Sequence, residues 1–130
     1  MEPISLQPIG IVRSPLVLLD DCPLQGHEGA PEAWIELLPG FETGIKDLAP
    51  GKELILLTWF HAADRSVLQC YPRKEVNAPP LGVFTTRSPD RPNPIGLHPV
   101  TVLAVEAGRV KVHPLEALDG TPVIDIKPVI

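Results

Sequence analysis

Apolar and polar positions along this chain alternate in short bursts and do not settle into a helical repeat. No window of fifteen residues carries a clean 3.6-residue period free of Pro or Gly. Leu6–Val12 predicts a first strand, interrupted around Pro8, and Ala33–Leu38 a second. Lys52–Phe60 is apolar at nearly every position, which predicts a central strand buried on both faces and ending at His61. Leu81–Thr85 predicts a short strand. Pro99–Glu106 alternates and is β-branched, and Arg109–Val112 returns across Gly108 as its hairpin partner. Asp119-Gly120 is a turn signal, and Val123–Lys127 alternates as a last strand. One short helix fits Thr43–Leu48, closed by Pro50-Gly51. The elements predict a mainly β chain: a small barrel of six or seven short strands with one short helix, and not a Rossmann fold.

Composition sharpens this picture. The chain has 130 residues, enough for one domain spanning 1–130, and 44% of them are hydrophobic. Its 17 prolines are scattered along the whole length. Each fixes φ and removes a backbone donor, so long helices are nearly excluded. The start shows no basic and apolar leader pattern, and no apolar run approaches a membrane span. A cytoplasmic protein is expected, with Cys22 and Cys70 as reduced thiols. His27, His61, His98 and His113 have no metal-ligand spacing, and neither CxxC nor HExxH is present, so no metal is expected. There is no P-loop, GxSxG or GxGxxG.

The net charge of −5 is uneven. Residues 61–91 hold Arg65, Arg73, Lys74, Arg87 and Arg91 against three acids, and form the one basic segment. It contains TTRSPDRPNPIG (Thr85–Gly96). A residue that precedes proline is pushed out of the α region, so Arg91 and Asn93 are held extended. Such a run can be a rigid barrel corner or a pre-set binding loop. Arg87 and Arg91, four apart on it, are fork-shaped donors suited to a carboxylate or a phosphate. The long loop CPLQGHEG (Cys22–Gly29) lacks periodicity and is a second candidate for function. Asp125 and Lys127 share a parity in the last strand, as a surface pair or as a pair on a concave face.

Three segments carry a resemblance. PIGIVRSP (Pro8–Pro15), GVFTTRSPDRPNPIGL (Gly82–Leu97) and LDGTPVIDIKP (Leu118–Pro128) resemble the signature segments of the TrmO or TsaA-like family, in its order and at about its spacing. A fourth match, the apolar strand ending in Trp59–His61, is weaker. The resemblance implies a β-barrel methyltransferase that uses S-adenosylmethionine, works as a homodimer and modifies tRNA. The implied acceptor is N6 of threonylcarbamoyl-adenosine beside the anticodon. It implies cofactor contacts at Leu24, Gln25, Gly26, His61, Ala62, Arg87, Leu97, Leu115 and Glu116, with Leu97 and Leu115 enclosing the adenine. Arg87 is assigned to the cofactor carboxylate or to an RNA phosphate, and Glu116 to the ammonium or the ribose hydroxyls.

The delocalised N6 nitrogen is a poor nucleophile, so an acceptor for its proton is expected. Asp119 and Asp125 are the candidate catalytic groups from their motif position. Arg65, Arg91 and Lys127 are the candidate RNA contacts. The sequence departs from the family at Thr85, His98 and Val129, where alanine, serine and an aromatic residue are usual. The chain ends at Ile130, so the C-terminal extension of longer relatives is not expected. A small-molecule methyltransferase and a non-catalytic module binding S-adenosylmethionine or RNA are the alternative readings.

Overall fold

The structure is a computed structural model that describes residues 1–71 and 77–130. Arg73 and Lys74 of the basic segment lie outside the described residues. Among those residues the strands are β1 (Gly10–Arg13), β2 (Ala33–Leu37), β3 (Glu53–Trp59), β4 (Gln69–Cys70), β5 (Leu81–Gly82), β6 (Ile95–Glu106), β7 (Arg109–His113) and β8 (Pro122–Pro128). Six of them close a barrel in the order β1-β2-β7-β6-β3-β8, with every pairing antiparallel. Strands β4 and β5 form a separate two-stranded ribbon.

Inward positions build a single core. Val12, Ile35, Leu54, Leu56, Val100, Val102, Val110, Val112 and Val123 alternate with outward residues on six strands and are all buried. β3 departs from the expected double burial. Leu54, Leu56 and Thr58 face inward and are fully buried, whereas Ile55, Leu57 and Trp59 on the outer face are half-buried. A closed barrel of this size has one interior, so only alternate residues of even its most apolar strand reach it.

Other boundaries shift for local reasons. β1 begins only at Gly10; Pro8 supplies no ladder donor, and Leu6 is exposed. The expected helix at 43–48 is a 3-10 turn over Glu42–Ile45, whose Glu42 carboxyl caps the Gly40 N–H at 3.1 Å. The fifth strand stops at Gly82, where a 3-10 turn (Val83–Thr85) begins. Thr85 and Thr86 hydroxyls there donate to the Gly82 and Val83 carbonyls at 2.8 and 3.0 Å, consuming groups a ladder would need. β6 is longer than expected and takes in the end of the proline motif from Ile95. Among the described residues no helix is long and apolar enough to cross a membrane.

Candidate functional site

The proline motif is held from both sides. Phe60 N–H donates to Pro94 O at 2.8 Å, and Asp64 N–H to the Asp90 carboxyl at 2.9 Å. Arg65 donates from Nε to Pro92 O at 2.7 Å and from Nη2 to Asn93 Oδ1 at 3.2 Å, while its guanidinium lies over the Trp59 ring at 5.1 Å. Arg91 reaches back across the loop. Its Nη2 donates to Val83 O and, at 2.6 Å, to Thr86 O, and its Nε is buried without a hydrogen-bond partner. Arg65, exposed, and Arg91, half-buried, thus both clamp this loop, and Arg91 also lines the hollow beside it. Each guanidinium commits at least one nitrogen to oxygens of this loop.

Beside the clamped loop lies a hollow of about 530 Å³. Its wall comes from four separate stretches: Cys22–Gln25, the end of β3 through Ala63, Arg87–His98 in part, and Glu116–Thr121 in part. Of the nine cofactor residues the sequence suggested, Leu24, Gln25, His61, Ala62, Arg87, Leu97 and Glu116 line it. Gly26 stands at its edge, since a Cβ there would come within 3.0 Å of Glu116 Oε2. Leu115 does not line it. Its side chain is fully buried in the barrel core, whereas Leu97 points outward from β6. Of these two leucines, Leu97 alone lines the hollow within one chain.

The floor holds a polar line that the sequence reading missed. His98 is 1% exposed. Its Nδ1 is 2.5 Å from Glu116 Oε1, its Nε2 is 2.7 Å from Thr58 Oγ1, and Phe60 meets the ring edge-on at 5.9 Å. An ionised carboxyl at Nδ1 can only accept, so that nitrogen is the donor of the pair, while Nε2 and the Thr58 hydroxyl share a second hydrogen bond. The available signal was parity. His98 shares its inward face with Gly96, Val100 and Val102 on β6. Glu116 keeps its second oxygen for a hydroxyl or ammonium hydrogen, and exposed Arg87 offers a guanidinium on the same wall.

The two candidate catalytic aspartates do not join this hollow. Asp119 Oδ1 accepts the Ser14 N–H at 3.0 Å and shapes the turn before β8, where Gly120 has φ +85°. Asp125 pairs with Lys127 Nζ at 3.1 Å and lines a different recess, of about 380 Å³, together with Phe41, Ile45 and Leu48. Both have partners outside the hollow, and Lys127 goes with Asp125 as a surface pair. The carboxyls that do face the main hollow are Glu116 and Asp90. Burial, Asp21 and Glu116 push the Cys22 thiol above its ordinary pKa. Among the described residues no group of three His, Cys, Asp or Glu side chains is placed to hold a metal, and both cysteines are free.

Residues 11–130 match the family model described as the tRNA-methyltransferase O N-terminal domain. The chain belongs to that family. It is 44% identical over 122 residues to an S-adenosyl-L-methionine-binding protein of Archaeoglobus fulgidus, covering 94% of this chain and 86% of that one. It is 42% identical to a probable S-adenosyl-L-methionine-binding protein of Methanothermobacter thermautotrophicus, covering 96% and 89%. The crystal structure of TrmO from Pseudomonas aeruginosa superposes with a TM-score of 0.79 at 36% identity, covering 99% of this chain and 57% of that chain. The TrmO N-terminal domain family is a methyltransferase family that uses S-adenosyl-L-methionine, and the barrel described above is its fold. This chain spans little more than half the length of the TrmO protein it matches in structure.

Proposed function

We propose that this chain binds S-adenosyl-L-methionine in the 530 Å³ hollow and transfers its methyl group to tRNA, at N6 of threonylcarbamoyl-adenosine beside the anticodon. The observation that carries the reading is the convergence of Leu24, Gln25, His61, Ala62, Arg87, Leu97 and Glu116, from four chain segments, on one wall. The residues fit the group. Gly96 and Gly26 leave room for Glu116 and His98 where a Cβ would collide, and apolar Leu24, Phe60 and Leu118 suit an adenine face. Arg87 is suited to hold the carboxylate in a bidentate pair. Glu116 is suited to accept from the ribose hydroxyls or the ammonium. When bound, the cofactor supplies an electrophilic methyl group on a sulfonium. The protein's contribution is then chiefly orientation, which alone is worth roughly 7–11 kcal/mol of barrier in well-aligned systems.

The homodimer expected from the resemblance also belongs to this proposal. Phe84 is 80% exposed, and Leu97, Ile95 and Leu81 are at least 40% exposed on strands and turns flanking the hollow. A second copy covering them would complete the wall that Leu115 does not supply. Among the described residues Arg87 is the basic-segment cation that is both exposed and on the hollow, so it is the candidate first contact for RNA phosphate when cofactor leaves it free. A cytoplasmic location is inferred with the tRNA substrate.

The test is transfer of labelled methyl from S-adenosylmethionine to bulk tRNA, followed by nucleoside analysis. Label in methylated threonylcarbamoyl-adenosine is the expected outcome. Clear cofactor binding with unlabelled tRNA would sink the tRNA reading and redirect the search to a small-molecule acceptor.

A further inference from the structure

We propose that His98 is a positioning residue for the ligand hollow: it locks the Glu116 carboxyl so that Oε1 is committed and Oε2 is presented to the hydroxyl or ammonium hydrogens of the ligand. The inference rests on the S-adenosylmethionine reading of the hollow. Both ring nitrogens of His98 are engaged, by Glu116 at 2.5 Å and Thr58 at 2.7 Å, and Phe60 packs edge-on against the ring. The imidazole therefore has one pose, and it imposes that pose on a glutamate whose side chain is 13% exposed. A free glutamate loses appreciable rotamer entropy on being ordered, and ordering it before binding removes that cost from the association.

The strand register explains why the line forms. Thr58 faces Gly96 across β3 and β6, and His98 follows Gly96 on the same inward face. A Cβ at 96 would stand 2.7 Å from His98 Nε2 and 2.4 Å from Thr58 Oγ1, so only glycine leaves these two groups in contact. At the far end of the line a Cβ at 26 would stand 3.0 Å from Glu116 Oε2, the oxygen that is left for the ligand. Two glycines therefore bracket Thr58–His98–Glu116. The sequence element that matters extends past the proline motif to RPNPIGLH.

The experiment measures S-adenosylmethionine affinity by calorimetry for the full wild-type chain, His98→Leu, His98→Asn, Thr58→Val, Glu116→Gln and the double variant His98→Leu/Glu116→Gln. Losing a hydrogen bond to a charged group is expected to weaken binding about tenfold to a hundredfold in His98→Leu and in Glu116→Gln. The double variant should bind no more weakly than Glu116→Gln alone, because His98 acts through Glu116. His98→Asn, whose amide donates from near the Nδ1 position, should recover most of the loss. Losses that multiply in the double variant would overturn the proposal. If His98→Leu does not fold, Thr58→Val carries the test, with weaker binding expected in the wild-type background and no effect on Glu116→Gln. Wild-type binding that neither His98→Leu nor Thr58→Val alters overturns this inference alone. A wild type that binds no S-adenosylmethionine brings down the functional reading and this inference together.

Discussion

Gly96 and Thr58 face each other across β3 and β6 so closely that a Cβ at position 96 would stand 2.4 Å from the Thr58 hydroxyl oxygen. The same atom would meet Phe60 Cζ at 2.5 Å. Gly96→Ala is therefore expected to force three side chains apart in the barrel interior, costing about 1–3 kcal/mol of stability. Gly44→Ala is the control, since nothing lies within 4 Å of a Cβ there. Denaturant unfolding compares the two. Equal midpoints would show that the interior yields without cost.

Arg91 and Arg87 separate stability from binding. Arg91 ties Val83 O and Thr86 O to the proline loop from a half-buried position, whereas Arg87 is exposed on the hollow. Arg91→Ala leaves both carbonyls short of a charged donor and is expected to cost about 1.5–3 kcal/mol. Arg91→Lys reaches one carbonyl at most and should recover only part of that. Arg87→Ala should leave the unfolding midpoint within about 0.5 kcal/mol of wild type and abolish most cofactor affinity. Thermal unfolding and calorimetry on the same samples test the pair. The idea fails if Arg91→Ala unfolds like wild type.

The alternation of β6, β7 and β8 was legible because in a closed barrel the period-two pattern is the inward and outward pattern. The chemistry at the hollow was less so. Thr58 and His98 are 40 residues apart, His98 and Glu116 another 18, and only strand register brings them together. The partners of Arg65 and Arg91 were hidden for a related reason. Sequence shows their charges, but not the carbonyls of Val83, Thr86 and Pro92 that the loop turns toward them. Motif position alone had likewise suggested Asp119 and Asp125, whose partners are a backbone N–H and a lysine. The sequence pointed to the 22–29 loop, the end of β3 and the proline motif, and the family resemblance added the stretch after β7; all four border the hollow.

Those aspartate partners make a direct expectation. Asp125→Asn removes half of an exposed ion pair and should change stability by less than about 1 kcal/mol. Asp119→Asn loses a charged acceptor for Ser14 N–H and should cost about 1 kcal/mol. Neither should lower methyl-transfer turnover more than about threefold at saturating cofactor, well under the 10²–10⁴-fold typical of losing a general acid or base. A drop of a hundredfold in either variant would restore it to the chemistry.

Cys22 reports on occupancy of the hollow without any assay of transfer. It lines the wall beside Leu24 and Gln25, whereas Cys70 sits on the β4–β5 ribbon away from it. Burial is the main cause that raises the Cys22 thiol pKa, and Asp21 and Glu116 add to it by disfavouring a thiolate. The thiolate is the reactive form, so alkylation of Cys22 by iodoacetamide should be slow at neutral pH and should accelerate only above the ordinary thiol range. Glu116→Gln removes one of the raising charges, so it should lower the Cys22 pKa and speed its labelling at a given pH. Bound S-adenosylmethionine should protect Cys22 and leave the labelling of Cys70 unchanged, as read by peptide mass spectrometry. Equal protection of both thiols would point to a global stiffening. Protection of neither, at cofactor concentrations that saturate calorimetric binding, would place the cofactor elsewhere on the barrel.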